Sequence, residues 1–291
     1  MIVKGGYPRN DTRPVVPLSD GAGEIVELGS EVDGWQVGDR VMVNFLHDWI
    51  SGPVSEKALR SGLGGGIDGM LAESVAMDSS ALVRIPEHLD YRQASTLPCA
   101  AVTAYHAISS AATTAGDVVL LLGTGGVSIF GLQLSKALGA RTIITSSSDE
   151  KSAKARELGA DDTINYRTHS EWQDEVRRLT DGIGADHVLE VGGTGTLGRS
   201  MRSTRVGGTV SLIGVLGQGE PNMTYALMNA QTVRGIYVGS VEIFERMNRV
   251  IDLHKIQPVV DQVFPFADAH AAFEYLGSQQ HVGKVVIDVA S

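Results

Sequence analysis

The stretch Val118-Val119-Leu120-Leu121-Leu122-Gly123-Thr124-Gly125-Gly126-Val127-Ser128, continued to Ala140, constrains the fold of this chain more than any other. Its five consecutive apolar residues predict a strand buried on both faces. A glycine turn follows. Val127, Phe130, Leu134 and Leu138 then recur at helical spacing until Gly139 stops the helix. Strand, glycine loop and helix together are the context in which a glycine fingerprint marks a dinucleotide site. Gly123 permits the turn, and Gly125 lets the backbone approach a pyrophosphate. Gly126 and Val127 open a helix whose N-terminus offers N–H groups and partial positive charge to phosphates. Ser128 replaces the third glycine and is small enough for close helix–strand packing. The alternative is a purely structural turn; the two flanking elements favour the nucleotide.

A length of 291 residues allows one large or two ordinary domains, and 43% hydrophobic against 20% charged residues predicts a sizeable soluble core. The formal net charge of −10 argues against nucleic acid or an anionic membrane as the main partner. No apolar run approaches the length of a membrane helix, and Met1-Ile2-Val3-Lys4-Gly5-Gly6 does not read as a signal peptide. A single cysteine, Cys99, excludes an internal disulfide and fits a reducing, cytoplasmic location.

Residues 1–18 are polar and broken by Pro8, Pro14 and Pro17. Short strands are expected at Gly23–Gly29, Val41–Val43, Gly69–Val75 and Ala81–Pro86, with a long loop from Phe45 to Gly66. Tyr91–Ala112 reads as helix with a break near Pro98. Strict alternation then follows. Strands are expected at 118–122, 141–146, 162–165, 185–191, 208–215 and 233–238, and helices at 126–138, 149–158, 170–180, 195–204 and 224–230. This pattern predicts an α/β fold with a doubly wound parallel sheet. The tail adds helices at 242–254 and 268–276 and a final strand at 283–288, expected to pack back on the first β-rich region.

The order and spacing of Gly21-Ala22-Gly23-Glu24-Ile25-Val26, Gly38-Asp39-Arg40-Val41, Leu97-Pro98-Cys99-Ala100-Ala101-Val102-Thr103-Ala104-Tyr105, the glycine turn, Glu157-Leu158-Gly159-Ala160-Asp161 and Gly283-Lys284-Val285-Val286 resemble the medium-chain dehydrogenase/reductase family over nearly the whole chain. The resemblance implies a GroES-like catalytic domain, a Rossmann domain, a cleft between them, and hydride transfer with a nicotinamide cofactor. It divides the chain into residues 1–98, the first part of the catalytic domain; 99–238, the Rossmann domain; and 239–291, the return to the catalytic domain. Carried over by position, it implies cofactor contacts at Thr103, at Val191 and Gly192, at Ile213, Gly214 and Val215, and at Val238 and Gly239. Strand carboxyl ends are where such sheets bind ligands, so both lines of reasoning agree. Plain sheet core is an equally good account of any one of the valines.

An NAD-selective site of this kind carries a carboxylate at the end of the second strand. Alignment to the family places Ser146 there, followed by Ser147, Ser148 and Lys151. Hydroxyls and a cation suit a 2′-phosphate, so the expected cofactor is NADP, with Tyr166 flanking the adenine or its phosphate. Ser148 as a helix cap before Asp149 and Glu150 is compatible with this, while an inward-turned Asp149 would undercut it.

Zinc enzymes of the family need a set of Cys, His and Glu ligands. The family's Gly-His-Glu triplet is here Leu18-Ser19-Asp20, and Cys99 has no partner cysteine, so no metal is expected. His47 and Asp48 are two potential ligands in a loop and do not make a site. Cys99 reads as a small buried hydrophobe and His106 as a packing residue; Asp20 and Glu24 carry no mark of a catalytic acid. No catalytic residue is assigned from the sequence. The expected activity is zinc-independent hydride transfer from NADPH to a small-molecule quinone, enone or carbonyl. A nucleotide-binding protein without turnover is the alternative. An edge strand at Val233–Tyr237 predicts a homodimer. In the family, a β-rich segment of roughly 40 residues precedes the region resembling Lys4-Gly5-Gly6-Tyr7-Pro8, so the first domain is expected to be incomplete at its N-terminus.

Overall fold

The computed structural model describes residues 13–215 and 217–290. The expectation about the N-terminus rests on residues outside that range. The chain divides into two compact units, one built from residues up to Val102 together with those from Val238 onward, the other from Thr103–Tyr237.

In the first unit, β1 (Ala22–Glu24) and β2 (Arg40–Val43) precede helix α1 (Glu56–Arg60), β3 (Leu82–Arg84) and helix α2 (Tyr91–Ala94). The strands form an antiparallel sheet in the order β1-β2-β3. Asp90 and Gln93 close a reciprocal capping box on α2. A π-helical turn at Leu97–Ala101 then leads into α3 (Val102–Ser110). Three sequence expectations change here. Gly69–Val75 is not a strand: Gly69, Met70 and Leu71 donate to the carbonyls of Val16, Leu18 and Pro17, and Met70 packs on the cluster around Val43, Leu63 and Ala81. The strand expected over Gly23–Gly29 stops at Glu24, and Val26 is exposed. The loop Phe45–Gly66 contains α1, whose N-terminus is capped by the Ser55 hydroxyl accepting from the Ala58 N–H.

The second unit runs through β4 (Val118–Leu121), α4 (Gly126–Ala137), β5 (Arg141–Ser146), α5 (Asp149–Glu157), β6 (Asp162–Asn165), α6 (Trp172–Leu179), β7 (Ala185–Glu190), α7 (Thr194–Ser203), β8 (Thr204–Leu212), α8 (Thr224–Met228) and β9 (Thr232–Gly235). All six strands are parallel, in the order β6-β5-β4-β7-β8-β9. This is the expected doubly wound sheet, with the strand order reversing between β4 and β7. Leu120, Ile143, Val188 and Val210 form the sheet side of a core that Trp172, Val176, Leu197 and Met201 cover from the helices. β8 begins at Thr204, earlier than expected, and Gly207 at φ +73° lies within it. β7, β8 and β9 end at Glu190, Leu212 and Gly235. Val191, Gly192, Ile213, Gly214, Val215, Val238 and Gly239 therefore lie in the connections beyond the strands rather than at their last positions.

The first unit resumes with α9 (Val241–His254), β10 (Val260–Pro265), α10 (Ala269–Ser278) and β11 (Lys284–Asp288). β10, which the sequence pattern did not reveal, pairs in parallel with β11. Its Val-Asp-Gln-Val-Phe-Pro sequence lacks alternation and ends in proline, which suits a strand with one partner. The Asn248 side chain of α9 donates to the Arg84 carbonyl of β3 at 3.1 Å, and Val241 N–H donates to the Trp49 carbonyl at 3.0 Å.

Candidate functional site

At the carboxyl edge of the parallel sheet, the turn after β4 is held from below and open above. Gly123 sits at φ +74°, a conformation that favours glycine, and its N–H donates to Thr145 Oγ1 of β5 at 3.0 Å. Gly125 is the N-cap of α4 with extended backbone, φ −77° and ψ 179°, which any residue adopts. A Cβ at Gly123 or Gly125 would meet no described atom within 4 Å. Neither neighbouring chain nor backbone geometry thus calls for glycine at 125. The space beside it is open to a ligand approaching the backbone. The first-turn amides of Gly126, Val127 and Ser128 have no carbonyl one turn back to bond, as at any helix start. This edge therefore fits the pyrophosphate of a dinucleotide.

Ser128 is 1% exposed and donates from Oγ to the Leu122 carbonyl at 2.7 Å. The close helix–sheet packing is at Gly131 instead. A Cβ there would lie 2.8 Å from Leu121 Cδ2 and 2.9 Å from Leu189 Cδ2.

At the end of β5, Ser146 is fully buried; its hydroxyl donates to the Ser148 carbonyl at 2.9 Å and accepts from the Ser148 N–H. Ser146 thus shapes the 146–148 turn, while Ser147 and Lys151 are half-buried and Tyr166 is exposed. Ser148 caps α5 by accepting from the Lys151 N–H. The Asp149 carboxylate accepts from Asn165 Nδ2 at 2.8 Å, so it is tied to the end of β6.

Beyond β7, the buried carboxylate of Glu190 organises a glycine-rich crossing. Its Oε1 accepts from the N–H groups of Gly192 at 2.7 Å and Gly193 at 3.0 Å and from Thr196 Oγ1 at 2.7 Å, and its Oε2 accepts from Ser200 Oγ. The N–H groups of Ile213 and Gly214 donate to the Glu190 carbonyl. A Cβ on Gly214 would lie 2.2 Å from the Val191 carbonyl oxygen, so the two connections cross in contact. Val191, Gly192, Ile213 and Gly214 are gathered at this crossing, Val215 just beyond it is exposed, and Thr103 is buried near the start of α3. Val238 and Gly239 fall in the other unit. Val238 packs with Leu46, Trp49 and Ala58, and the Gly239 carbonyl accepts from Asn44 Nδ2 at 3.2 Å.

The first unit carries a charged group of its own. Lys284 Nζ donates to Asp20 Oδ2 at 2.8 Å, and Ser19 Oγ donates to Asp20 Oδ1 at 3.0 Å. Burial works against the Lys284 ammonium, but the charges of Asp20 and Cys99 and the Asp20 hydrogen bond outweigh it and raise its pKa above the ordinary lysine value. Leu18, just before, is held at φ +71°, where a side chain is strained. Gly64 and Gly69 pack against its backbone so closely that a Cβ on either would lie within 3 Å of it. This donor set does not suit zinc. Both Asp20 oxygens are engaged, one of them by a cation, and Cys99 is the one soft ligand. Among the described residues no cluster of three or more His, Cys, Asp or Glu side chains could hold a metal. His47 has both ring nitrogens occupied, Nδ1 by Asp48 and Nε2 by the Asp78 N–H, which is a structural role.

Sequence reasoning missed Thr145, Gly131, Glu190 and Lys284. Glu190 left a legible signal, a carboxylate closing an apolar strand ahead of two glycines.

Residues 1–87 match the family of the alcohol dehydrogenase GroES-like domain and residues 126–255 that of the zinc-binding dehydrogenases. A zinc-type alcohol dehydrogenase-like protein of Schizosaccharomyces pombe is 43% identical, over 99% of this chain and 86% of its own. An NADPH-dependent alkenal/one oxidoreductase of Arabidopsis thaliana is 32% identical, over 94% of this chain and 64% of its own. A solved structure of an NAD-dependent alcohol dehydrogenase superposes with a TM-score of 0.89 at 30% identity, over 99% of this chain and 87% of that one. Among the described residues no helix is long and apolar enough to cross a membrane. The chain belongs to the medium-chain dehydrogenase/reductase family and is an oxidoreductase of that family, with GroES-like and Rossmann domains.

Proposed function

We propose that this member of the medium-chain dehydrogenase/reductase family is an NADPH-dependent, zinc-independent reductase of quinones, enones or related carbonyl compounds. The observation that carries the reading is the turn at Gly123–Gly125, open above and backed by a helix N-terminus, followed at the end of β5 by hydroxyls instead of a carboxylate. A bound nicotinamide dinucleotide supplies the hydride. Gly125 and the first turn of α4 hold its pyrophosphate. Ser147 and Lys151 receive the 2′-phosphate on the turn that Ser146 fixes, and Tyr166 lies against the adenine. Asp149, tethered to Asn165, is kept from opposing that phosphate. Thr103 and the crossing built on Glu190 line the nicotinamide end. Substrate positioning and exclusion of water then supply most of the rate. Ser19 in the slot of the family's histidine, next to an Asp20 that is tied to Lys284, supports chemistry without zinc.

β9 is an edge of the parallel sheet, with Val233 half-buried and Tyr237 exposed, which supports a homodimer formed by pairing these edges. Assay of quinones, enones and aldehydes with NADPH and NADH tests the reading. The expected result is oxidation of NADPH with at least one class; nucleotide binding without turnover on any of them would overturn it.

A further inference from the structure

We propose that Glu190 positions the nicotinamide half of the dinucleotide: its carboxylate is an internal anion that plugs a second glycine loop and fixes the wall on which that half lies. The inference rests on the reductase reading above and uses residues of Thr103–Tyr237 alone. The turn after β4, Gly123-Thr124-Gly125-Gly126-Val127-Ser128, has a counterpart after the neighbouring strand β7, Gly193-Thr194-Gly195-Thr196-Leu197-Gly198. Both begin Gly-Thr-Gly, and both open a helix, α4 and α7. By spacing alone the second fits the fingerprint better, since it keeps its third glycine.

The structure separates the two loops. A Cβ on Gly123 or Gly125 meets no described atom within 4 Å, whereas one on Gly193 would lie 2.9 Å from the Gly217 carbonyl oxygen and one on Gly195 3.0 Å from that of Gln218. The chain itself covers the second loop. At its mouth the N–H groups of Gly192 and Gly193 donate to Glu190 Oε1 at 2.7 and 3.0 Å. Backbone N–H groups only donate, so Oε1 stands where a phosphate oxygen would in an open loop. The pyrophosphate is left the loop at β4.

With the pyrophosphate there and the 2′-phosphate at the end of β5, the other half of the dinucleotide runs over the carboxyl ends of β7 and β8, since the strand order is β6-β5-β4-β7-β8-β9. Glu190 pins both of these exits. Its side chain holds the β7 connection at Gly192 and Gly193, and its carbonyl accepts from the N–H groups of Ile213 at 2.8 Å and Gly214 at 2.9 Å in the β8 connection. Thr196 Oγ1 at 2.7 Å and Ser200 Oγ tie the same carboxylate to α7. Glu190 and Ser200 are fully buried, so neither touches a ligand, while Val191, Gly192, Ile213 and Gly214 are half-buried. A buried carboxylate is costly, and packed apolar groups often replace buried charges without loss of stability, so what this one contributes is the geometry it imposes. Its removal frees the Gly192 and Gly193 amides and lets the two connections part, and the nicotinamide loses its wall.

The test compares the parent with Glu190→Ala, Glu190→Gln and Ser200→Ala. Melting is followed in each. So are titrations with NADPH, read by its nicotinamide fluorescence, and with adenosine 2′,5′-bisphosphate, which has the adenine end and no nicotinamide. Glu190→Ala should weaken NADPH at least roughly tenfold and leave the bisphosphate within about twofold. Glu190→Gln, whose amide oxygen still accepts from the Gly192 and Gly193 N–H groups, should stay within about threefold of the parent for both ligands. Formate, but not chloride at equal ionic strength, should restore part of the NADPH affinity and of the melting temperature of Glu190→Ala by seating an anion on the vacated amides, and should leave the parent unchanged. Where Glu190→Ala does not fold, Ser200→Ala decides. It removes a donor to Oε2 from a residue that no ligand reaches, so a loss of NADPH affinity of roughly threefold or more, with the bisphosphate kept, passes through Glu190. The proposal is overturned if the deciding variant weakens both ligands alike or neither, or if formate does nothing for Glu190→Ala or acts on it and the parent alike. A parent that binds neither ligand overturns the reductase reading itself.

Discussion

Ser128 Oγ donates to the Leu122 carbonyl at 2.7 Å, closing the turn between β4 and α4 from within the chain. The hydroxyl satisfies a carbonyl that the glycine turn would otherwise leave behind a helix, so the turn needs no ligand to hold its shape. It also separates two roles that a glycine fingerprint usually merges, ligand approach and helix packing.

That separation can be tested with two substitutions. Gly125→Val places its side chain where no described atom lies within 4 Å, so melting should hold within a few degrees while NADPH binding weakens at least roughly tenfold. Gly131→Ala should do the reverse. Its Cβ meets Leu121 and Leu189, and the overpacking should cost about 1–3 kcal/mol in urea unfolding with nucleotide affinity kept. Loss of stability in Gly125→Val, or none in Gly131→Ala, would reject the assignment.

Fluorescence titration should give tighter binding of NADPH than NADH. Lys151→Glu should cut that preference by roughly tenfold or more, because a carboxylate there repels a 2′-phosphate. Ser146→Asp is a second probe, and it places a carboxylate where the side chain is fully buried, so it should also lower the melting temperature. Equal affinities of the parent for the two cofactors would refute the NADPH reading.

His187 is 2% exposed in the middle of β7, its ring between Thr113 Oγ1 at 3.1 Å and Ser211 Oγ at 2.8 Å. Burial pushes its pKa down from 6.5 to about 4, against a weaker upward pull from Asp117. As pH falls, the unfolded chain takes up the proton first. The stabilising contribution is therefore full above pH 6.5 and is lost as pH drops toward about 4. A shift of this size corresponds to about 3 kcal/mol, to be seen as a drop in unfolding free energy between neutral and acid buffer. His187→Gln should flatten that dependence; an unchanged acid profile in the variant would assign it to other groups.

Purified protein should contain well under one zinc per chain, and chelators should leave NADPH oxidation unchanged. Stoichiometric zinc removed together with activity would contradict the donor set around Asp20 and Cys99.

Light scattering should report a dimer at micromolar concentration, twice the 30.8 kDa chain mass. Arg234→Pro, in the edge strand β9, should convert it to monomer by removing a backbone donor. A parent that is already monomeric would reject edge pairing.

The doubly wound sheet was legible because its signals are local. Val118–Leu122 and the glycines that follow announce strand and turn within a dozen residues, and strands and helices then alternate along the chain. Ser146 was legible as a position but not as a contact, since its burial depends on how the Ser148 carbonyl turns back. The link of Lys284 to Asp20 spans 264 residues, and no periodicity in either segment points to the other. Gly69–Val75 misled because Met70 packs on a core although the segment pairs with no strand, while Val75 is exposed. The left-handed backbone at Leu18 left no trace, since leucine is the wrong residue to announce it.

The unit that holds Lys284 and Asp20 is assembled from two distant stretches, while Thr103–Tyr237 is one uninterrupted run. As the chain leaves the ribosome, the parallel sheet has all its strands in hand once β9 has emerged. The first unit then still lacks α9, β10 and β11. Local contacts form ahead of remote ones because closing a long loop costs entropy before any contact rewards it. Asp20 therefore waits, paired with water, through the synthesis of most of the protein. The ion pair is among the last contacts that a newborn chain completes, and a nascent chain stopped short of β11 could fold its nucleotide half and still lack the cation.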